Sequence, residues 1–269
     1  MGRKRTRPGR TATRRRARAL TALSTARIES LFRRLAQHTA LDGDEQAALA
    51  GILDEEVAFG ANDVIVRRGD YPGAAFAVTR GWAARTMTLA DGRRQIVNFM
   101  LPGDLFDLQV FAGEPADHTV RALTEVAIAP VDRDALMAVV NGASALSGAL
   151  WWASVREEAV LREQVVRNGR RSAKERVAHI LLELHHRLRA IGQAEDDAFD
   201  LPVGQAALAD ALGLSYVHVS RVLTWLEREG LIAREKGRVT LSDRAGLRGL
   251  CDFSSLYLLG EAASKRDAV

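Results

Sequence analysis

Cysteine is almost absent from this chain, since Cys251 is the only one among 269 residues. A single thiol excludes an intramolecular disulfide framework and any metal cluster that takes several thiolates from one chain. We expect Cys251 to be a partly buried structural residue. The sequence also contains neither a GxxxxGK[ST] phosphate loop nor a GxSxG nucleophile motif. We therefore expect neither catalysis nor a bound cofactor.

Long hydrophobic runs are missing as well. No stretch of about 18 apolar residues occurs, so we expect no membrane span. The basic N-terminus is not followed by the apolar segment and small-residue cleavage site of a secretory signal. Hydrophobic residues make up 47% of the chain and charged residues 27%, which is ordinary for a soluble globular protein. These features predict a cytoplasmic protein, and its length suits two domains.

Acidic residues are absent from residues 1–27, which contain ten arginines and lysines. The rest of the chain has 28 basic and 34 acidic residues, so the net charge of +4 comes from this tail. Because like charges repel and the intervening small residues offer no core, we expect the tail to be disordered. It is either a source of nonspecific attraction to DNA phosphates or a dispensable extension, and the sequence leaves both open.

Short β-prone segments separated by glycines fill residues 57–131. Two short amphipathic helices are predicted before them, between Ile28 and about Ala50. Asp91-Gly92 lies between two of the β-prone segments and is a strong hairpin signal. Several strands at about ten-residue spacing indicate a small antiparallel roll or barrel. We expect this part to be a regulatory or sensor domain.

A long helix is predicted from about Ala145 to Arg167, with Asn168-Gly169 breaking it and acting as a hinge. Ser172 and Glu175 then form the capping box of a new helix that ends near Leu188. Together with Trp151 and Trp152, the long helix would leave apolar surface exposed. We expect a partner subunit to cover that surface, the alternative being the chain's own β-domain. The imperfect apolar stripe, interrupted by Glu157, consists of Leu146, Leu150, Ala153, Val160, Leu161 and Val165.

Residues 203–241 have the pattern of a winged helix-turn-helix. Gly213 marks the turn, Ser215 is placed to cap the following helix, and Gly230 ends that helix near Glu229. Two β-prone segments, 231–234 and 238–241, then form the wing around the tip Glu235-Lys236-Gly237. An ordinary helical hairpin would not explain the polar outer face of the second helix. Its inner face carries Val219, Val222, Leu223 and Leu226 at helical spacing.

The outer face of this second helix predicts contacts with double-stranded DNA. A guanidinium can pair with both acceptors of a guanine edge, giving about 1–3 kcal/mol of discrimination, so we assign base recognition to Arg221. Neighbouring side chains are suited to phosphate or mixed contacts. The complete predicted DNA-binding set is Ser215, Tyr216, Val217, His218, Ser220, Arg221, Thr224 and Lys236.

In this order of roll, long helix, hinge and winged helix-turn-helix, residues 28–246 resemble the Crp/Fnr family of bacterial transcription regulators. The segments LADALGLSYVHVSRVLTWLEREGLI and SAKERVAHILLEL carry the resemblance, and Arg221 falls where the family keeps a base-reading arginine. The resemblance implies a homodimer on a pseudo-palindromic site, with RNA polymerase as a further partner if the protein is an activator. It also implies an α+β fold of five parts: a tail (1–27), a cyclic-nucleotide-binding-like antiparallel β-roll (28–145), a dimerisation helix (146–170), a winged helix-turn-helix (171–246) and an extension (247–269).

The ligand site departs from that family. Cyclic-nucleotide-binding members have a Gly-Glu pair after the Gly-Asp of the roll and, about ten residues later, an Arg-Ser pair for the cyclic phosphate. The corresponding segments here, 104–109 and 117–120, contain no arginine and bring Asp107 and Asp117 instead. We therefore expect no dependence on cyclic AMP, and either an unknown small-molecule effector or none. The candidate effector pocket comprises Gly103, Asp104, Phe106, Asp107, Leu108, His118 and Thr119.

Metal binding is a different function that one predicted helix suggests. His179, Glu183 and His186 lie at i, i+4 and i+7 and could ligate a metal, but no second helix has matching ligands. We assign no metal site and expect a solvated or interdomain face. Glu157 and Glu158 likewise have helix-surface spacing without a pocket. The alternative is a metal- or small-molecule-binding sensor or adaptor without sequence-specific DNA output.

Overall fold

A computed structural model describes residues 25–108, 113–142 and 144–258 of the chain. The basic tail before Thr25 and Gln109 of the predicted ligand segment lie outside these residues. Helices α1 (Thr25–Leu35) and α2 (Gly43–Gly51) come first, as the sequence predicts. α2 begins in a capping box, in which Asp42 Oδ1 accepts a hydrogen bond from Glu45 N at 2.8 Å and Glu45 accepts one from Asp42 N. In the described part of the chain, no helix is both long enough and apolar enough to cross a membrane.

The predicted roll consists of two four-stranded antiparallel sheets. One sheet has the order β1 (Val57–Phe59), β8 (Val126–Asp132), β3 (Ala74–Arg80), β6 (Leu105–Phe106). The other has the order β2 (Val64–Val66), β7 (Thr119–Ala122), β4 (Ala83–Thr88), β5 (Arg94–Met100). The β4–β5 hairpin turns at Asp91-Gly92 as expected, with Gly92 at φ +87°. Their shared core contains Val78, Met100, Phe106, Val120 and Ile128.

Gly103 lets α1 approach the roll closely. Its φ is +84°, and a Cβ at this position would lie 2.3 Å from the backbone oxygen of Ser30. Only glycine fits there, because both the left-handed backbone and the contact exclude a side chain. The glycine therefore fixes the distance between α1 and the loop before β6.

After α3 (Arg133–Gly142), helix α4 (Ser144–Arg170) runs for 27 residues without interruption. The prediction of a break at Asn168-Gly169 is wrong. A single glycine in a helix costs only about 1 kcal/mol, and Asn168 Nδ2 donates to Ala211 O at 3.0 Å, which holds this end of α4 against the next domain. The helix ends instead before the capping box that Ser172 and Glu175 form.

The C-terminal part comprises α5 (Ala173–Arg189), α6 (Gln205–Leu212), α7 (Tyr216–Arg228) and α8 (Arg244–Cys251), with a final 3-10 turn at Leu256–Leu258. The wing strands β10 (Ala233–Glu235) and β11 (Arg238–Thr240) pair with each other, and β11 also pairs with a further strand, β9 (Ala198–Asp200), which the sequence did not indicate. The apolar stripe predicted for α7 is buried as expected. The same core includes Ile96 and Phe99 of β5, so this domain packs directly on the roll.

The expected domain boundary after residue 246 falls inside α8. Cys251, Phe253 and Leu258 beyond it are buried in the same core as α5. Cys251 Sγ donates to Leu247 O at 3.2 Å, and burial raises the pKa of this thiol to about 11. The winged helix-turn-helix domain therefore extends to residue 258.

Candidate DNA-binding interface and effector cavity

The turn between α6 and α7 has the geometry that its residues predict. Gly213 caps α6 in the left-handed conformation, with φ 62° and ψ 36°. Ser215 is the N-cap of α7, and its hydroxyl oxygen accepts a hydrogen bond from His218 N at 3.2 Å. These two residues set the angle between the helices, and they leave the N-terminus of α7 pointing outward.

The outer face of α7 is exposed and rich in hydrogen-bonding groups. Tyr216 and Val217 are 57% and 53% exposed, and Ser220 is half-buried. Arg221 is exposed and forms no hydrogen bond or ion pair with any residue that the structure describes. The predicted members Ser215, His218 and Thr224 are exposed on the same side. An unpaired guanidinium in such a position is free to contact a base edge.

The wing is a two-residue hairpin. Lys236 and Gly237 both have positive φ, 48° and 84°, which is the type I′ arrangement, and Glu235 pairs with Arg238 across the turn. Arg238 is occupied by Glu195, at 2.5 Å, and by Asp200, at 3.5 Å. The Lys236 ammonium, 3.9 Å from Glu235, is almost fully exposed at the tip. Lys236 is therefore the most exposed of the cations on the two wing strands and their tip.

An open cavity of about 500 Å³ lies between the second sheet and α4. Three residues of the predicted effector pocket, Asp107, Leu108 and His118, line it. Gly103 and Asp104 line a separate, smaller cavity. Phe106 belongs to the roll core, where it stacks on Phe76 at 5.2 Å, and the Thr119 hydroxyl accepts a hydrogen bond from Arg68 N. The residues lining the larger cavity are Arg85, Met87, Val97, Asp107, Leu108, Asp117, His118, Ser154, Glu157, Glu158 and Leu161.

Two of these residues correct the interpretation of α4. Glu157 and Glu158 were expected to lie on a helix surface without a pocket, yet both line this cavity. The error arose because helical spacing shows which face a residue shares but not what that face meets. Arg85 was missed for a related reason, since β4 is distant in sequence from the segments that carry the family's ligand contacts.

Carboxylates dominate the charge of the larger cavity. Arg85 forms an ion pair with Glu157 and lies 3.8 Å from the buried Asp107. His118 bridges two acids, with Nε2 2.8 Å from Asp107 Oδ1 and Nδ1 2.6 Å from Asp117 Oδ1. The hydrogen bond from His118 lowers the pKa of Asp117, so that this acid remains charged. Arg85 therefore already has acidic partners and is not free for an anionic ligand.

Two of the three α5 residues that were considered as metal ligands, His179 and Glu183, lie in a buried ionic network. Glu183 is 1% exposed and pairs with Arg167 at 2.8 Å, while His179 lies 3.1 Å from Glu163. Of the two expected environments, a solvated or an interdomain face, the structure excludes the solvated one for His179 and Glu183 and agrees with the interdomain one, because Glu163 and Arg167 belong to α4. Burial, opposed by Glu183, lowers the pKa of His179 to about 3, so the ring is neutral. Among the described residues, no group of three or more His, Cys, Asp and Glu side chains is arranged to hold a metal ion.

Comparison with known proteins agrees with this architecture. Residues 56–142 match the cyclic nucleotide-binding domain, and residues 175–250 match the Crp-like helix-turn-helix domain. The chain is 33% identical over 205 residues to the nitrogen fixation regulation protein FixK of Azorhizobium caulinodans, covering 76% of this chain and 82% of that one. It is 31% identical over 214 residues to the transcriptional activator protein FnrL of Cereibacter sphaeroides, covering 77% and 84%.

The fold is also similar to solved structures. FixK2 from Bradyrhizobium japonicum superposes with a TM-score of 0.66 at 27% identity, covering 74% of this chain and 98% of that one. A CRP-family transcriptional regulator from Thermus thermophilus, TTHB099, gives a TM-score of 0.57 at 25% identity, with coverages of 73% and 97%. With its β-roll, its long helix and an exposed recognition helix behind them, the chain belongs to the Crp/Fnr family of DNA-binding transcriptional regulators.

Proposed function

We propose that this protein binds a pseudo-palindromic DNA site as a homodimer, with the α7 helices of the two subunits in successive major grooves. The observation that carries the proposal is the exposed Arg221 guanidinium, which has no partner among the described residues. Arg221 reads a base edge, and Lys236 contacts a phosphate from the wing. Ser215, Tyr216, Val217, His218, Ser220 and Thr224 complete the interface.

The exposed side of α4 supports the dimer. Trp151 and Val165 are 74% and 73% exposed, and they lie two heptads apart, on one face of the helix. Glu158 and Arg162, an exposed ion pair, lie between them on the same helix. The other side of α4 is covered by the chain's own domains through Leu146, Leu150 and Val160. Two large apolar side chains that are this exposed on one helix favour a second subunit as their cover.

The roll of this regulator is not a cyclic-AMP site in our proposal. A cyclic phosphate entering the larger cavity would meet Asp107, Asp117, Glu157 and Glu158, while Arg85 is already paired. Like charges in a partly buried site repel, so the anion is disfavoured. Either an unknown effector without a negative charge biases the orientation of the DNA-binding domains, or the dimer binds DNA without an effector.

FixK is a nitrogen fixation regulation protein, and FnrL is a transcriptional activator protein. We propose by analogy that this protein activates transcription through contact with RNA polymerase. Because its partner is chromosomal DNA, we place it in the cytoplasm. The proposal assigns no catalytic step to any residue.

Selection from random DNA tests the proposal. The purified full-length protein, with no added ligand, is incubated with a random duplex library, and the retained DNA is sequenced. We expect an inverted repeat with half-sites about 10 base pairs apart, centre to centre. The Arg221→Ala variant should enrich a motif that is degenerate at one position of each half-site. If the wild-type protein enriches no motif while remaining folded and dimeric, effector-independent recognition is refuted. A single half-site would refute the dimeric mode.

Cyclic AMP is tested separately by calorimetric titration. We expect no heat of binding at millimolar ligand, and no change in the affinity for the selected site. Saturable binding of one molecule per chain would contradict our interpretation of the acidic cavity.

A further inference from the structure

Three arginine side chains converge in the interior where the roll meets the helices. Arg34 comes from α1, Arg156 from α4 and Arg187 from α5, and they are only 2%, 7% and 3% exposed. Arginine is almost never so deeply buried without a partner. Each of the three guanidinium groups therefore needs hydrogen-bond acceptors close to it.

Asp104 is the carboxylate that serves two of the arginines. Its Oδ1 lies 3.1 Å from Arg34 Nε, and its Oδ2 accepts a hydrogen bond from Arg187 Nη2 at 2.7 Å. Arg187 Nη2 also donates to Phe99 O at 2.8 Å, and Arg34 Nη1 donates to Arg187 O at 3.2 Å. Arg187 is thus well supplied with acceptors, whereas Arg34 is not.

Donor groups remain unused at all three arginines, including Arg187 Nε. Arg34 Nη2 and Arg156 Nε are buried and have no hydrogen-bond partner in the described part of the chain. The guanidinium of Arg156 forms no ion pair with a described residue, and its recorded contact is with the ring of Trp152, 5.6 Å away. An unsatisfied buried donor destabilises the fold, and more strongly when it is charged. The arrangement lacks an acceptor.

The charges of the three arginines also indicate that an anionic acceptor is missing. Burial and repulsion from Arg187 lower the pKa of Arg34 to about 10 despite the attraction of Asp104. Burial and the neighbouring Arg34 also lower the pKa of Arg156. Glu157 reaches the same region, but it is paired with Arg85. Asp104 therefore contacts two of the three cations, and the other nearby carboxylate, Glu183, lies 3.7 Å from Arg187 but is also paired with Arg167. Positive charge remains in excess, and an added anion would relieve both the repulsion and the unused donors.

A cavity of about 40 Å³ lies between these side chains and is lined by Arg34, Asp104, Arg156 and Arg187. One water molecule needs about 10–15 Å³ of cavity volume. The cavity therefore has space for a group of several oxygen atoms but not for a nucleotide. We propose that it binds one small oxyanion, of phosphate size or smaller, through Arg34 Nη2 and the Arg156 guanidinium. The anion braces α1 of the roll, α4 and α5 of the DNA-binding domain against one another. This site is distinct from the larger acidic cavity and does not depend on the DNA-binding proposal.

Dialysis and thermal unfolding of the full-length protein test the site. The protein is first freed of oxyanions in a chloride buffer, and phosphate, sulfate, nitrate or bicarbonate is then added at constant ionic strength. We expect one equivalent of one of these anions to bind per chain in equilibrium dialysis, with a saturable rise in Tm. The order of binding affinities among the four anions shows which anion shape fits the cavity. If no anion binds, or if all four act like added chloride, the site does not exist.

Arg156→Gln is the diagnostic variant, because it removes an unpaired buried charge. In oxyanion-free buffer we expect its Tm to be at least as high as that of the wild type. The half-saturating concentration of the preferred anion should rise at least tenfold. Arg162→Gln, on the same helix but exposed and paired with Glu158, should bind the anion like the wild type. Equal anion responses in wild type and Arg156→Gln would overturn the proposal, as would a large loss of Tm in Arg156→Gln without any anion.

Discussion

Arg187 of α5 donates a hydrogen bond to Asp104 of the roll across 2.7 Å, with both side chains largely buried. The carboxylate also accepts a hydrogen bond from Leu101 N at 2.8 Å, which holds its orientation in the loop before β6. One side chain of the sensor domain is thereby joined to the helix that supports the recognition helix. Their separation in sequence is 83 residues, so this contact is a direct connection between the two domains.

Asp104→Asn should destabilise the protein most strongly near neutral pH. Burial works to raise the pKa of Asp104, but Arg34, Arg187 and Arg156 outweigh burial and hold the pKa below its ordinary value. The carboxylate therefore stabilises the fold above the unfolded-state pKa of about 3.9, and this contribution is lost as the pH falls through the lower folded-state value. We expect a loss of about 3–5 kcal/mol at pH 7, shrinking in acid. Urea unfolding at pH 7 and at pH 3.5 measures both effects.

The control for this prediction is Asp91→Asn. Asp91 also has a lowered pKa, caused by hydrogen bonds from Arg93, but it lies in the exposed hairpin turn. The midpoint of urea unfolding of the Asp91→Asn variant at pH 7 should stay close to that of the wild type. A pH-independent difference between Asp104→Asn and the wild type would rule out the charge as the cause.

Arg221→Ala and Lys236→Ala should weaken DNA binding in different ways. Loss of Arg221 should cost about 1–3 kcal/mol on the selected site and relax the preference at one base pair of each half-site. Loss of Lys236 should reduce affinity equally for all sequences and lower the slope of log K against log salt by about 1 per subunit. Fluorescence anisotropy with cognate and scrambled duplexes at several salt concentrations distinguishes them. The assigned roles would be wrong if Arg221→Ala weakened binding equally for all sequences and Lys236→Ala relaxed the preference at one base pair.

Trp151→Glu should convert the dimer to a monomer. A charge placed on this exposed aromatic position would have to be desolvated in the interface, so we expect the dimer dissociation constant to rise at least a hundredfold. Sedimentation velocity across a concentration series gives the value. Leu89→Glu is the matched control, because Leu89 is also an exposed apolar residue, at 56%, but lies on the β4–β5 hairpin. If the two variants sediment alike, α4 is not the dimer interface.

Tyr257→Phe should loosen the C-terminal segment. The Tyr257 hydroxyl donates to Glu183 Oε2 at 2.9 Å inside the buried ionic network. Removing it leaves a charged acceptor with one partner fewer, which costs about 1.5–3 kcal/mol. Urea unfolding checks the loss, and hydrogen exchange of residues 251–258 shows where it acts. Leu256→Ala, next to it in sequence but 80% exposed, should leave both measurements unchanged.

Local signals explain what the sequence could predict. The turn at Gly213, the cap at Ser215 and the capping box at Ser172 depend on a few neighbouring residues, and each has the expected geometry. The apolar stripe of α7 follows from helical periodicity alone. The hairpin at Asp91-Gly92 is similarly local. These signals were enough for the winged helix-turn-helix and for the roll.

Contacts between distant segments could not be predicted in this way. Gly169 looks like a helix break, but the bond from Asn168 to Ala211 supports the helix beyond it. Glu183 looks like a surface acid, but Arg167 and Tyr257 bury it. Arg85 of β4 and Asp107, which follows β6, come from different sheets and meet where the two sheets approach each other, not through spacing along the chain. In each case the deciding neighbour is 16 or more residues away, where periodicity carries no information.

The unbroken course of α4 has a mechanical consequence. Its 27 residues form a rod about 40 Å long at 1.5 Å per residue. A tilt of about 5° at the roll end would displace the far end by about 3.5 Å, as the same helix length implies, close to the axial rise of about 3.4 Å per base pair of DNA. Asn168, near that far end, is bonded to Ala211, two residues before the turn at Gly213. The helix therefore joins the roll to the α6–α7 turn as one rigid element, so that a tilt at the roll end is carried to α7 with no hinge between them.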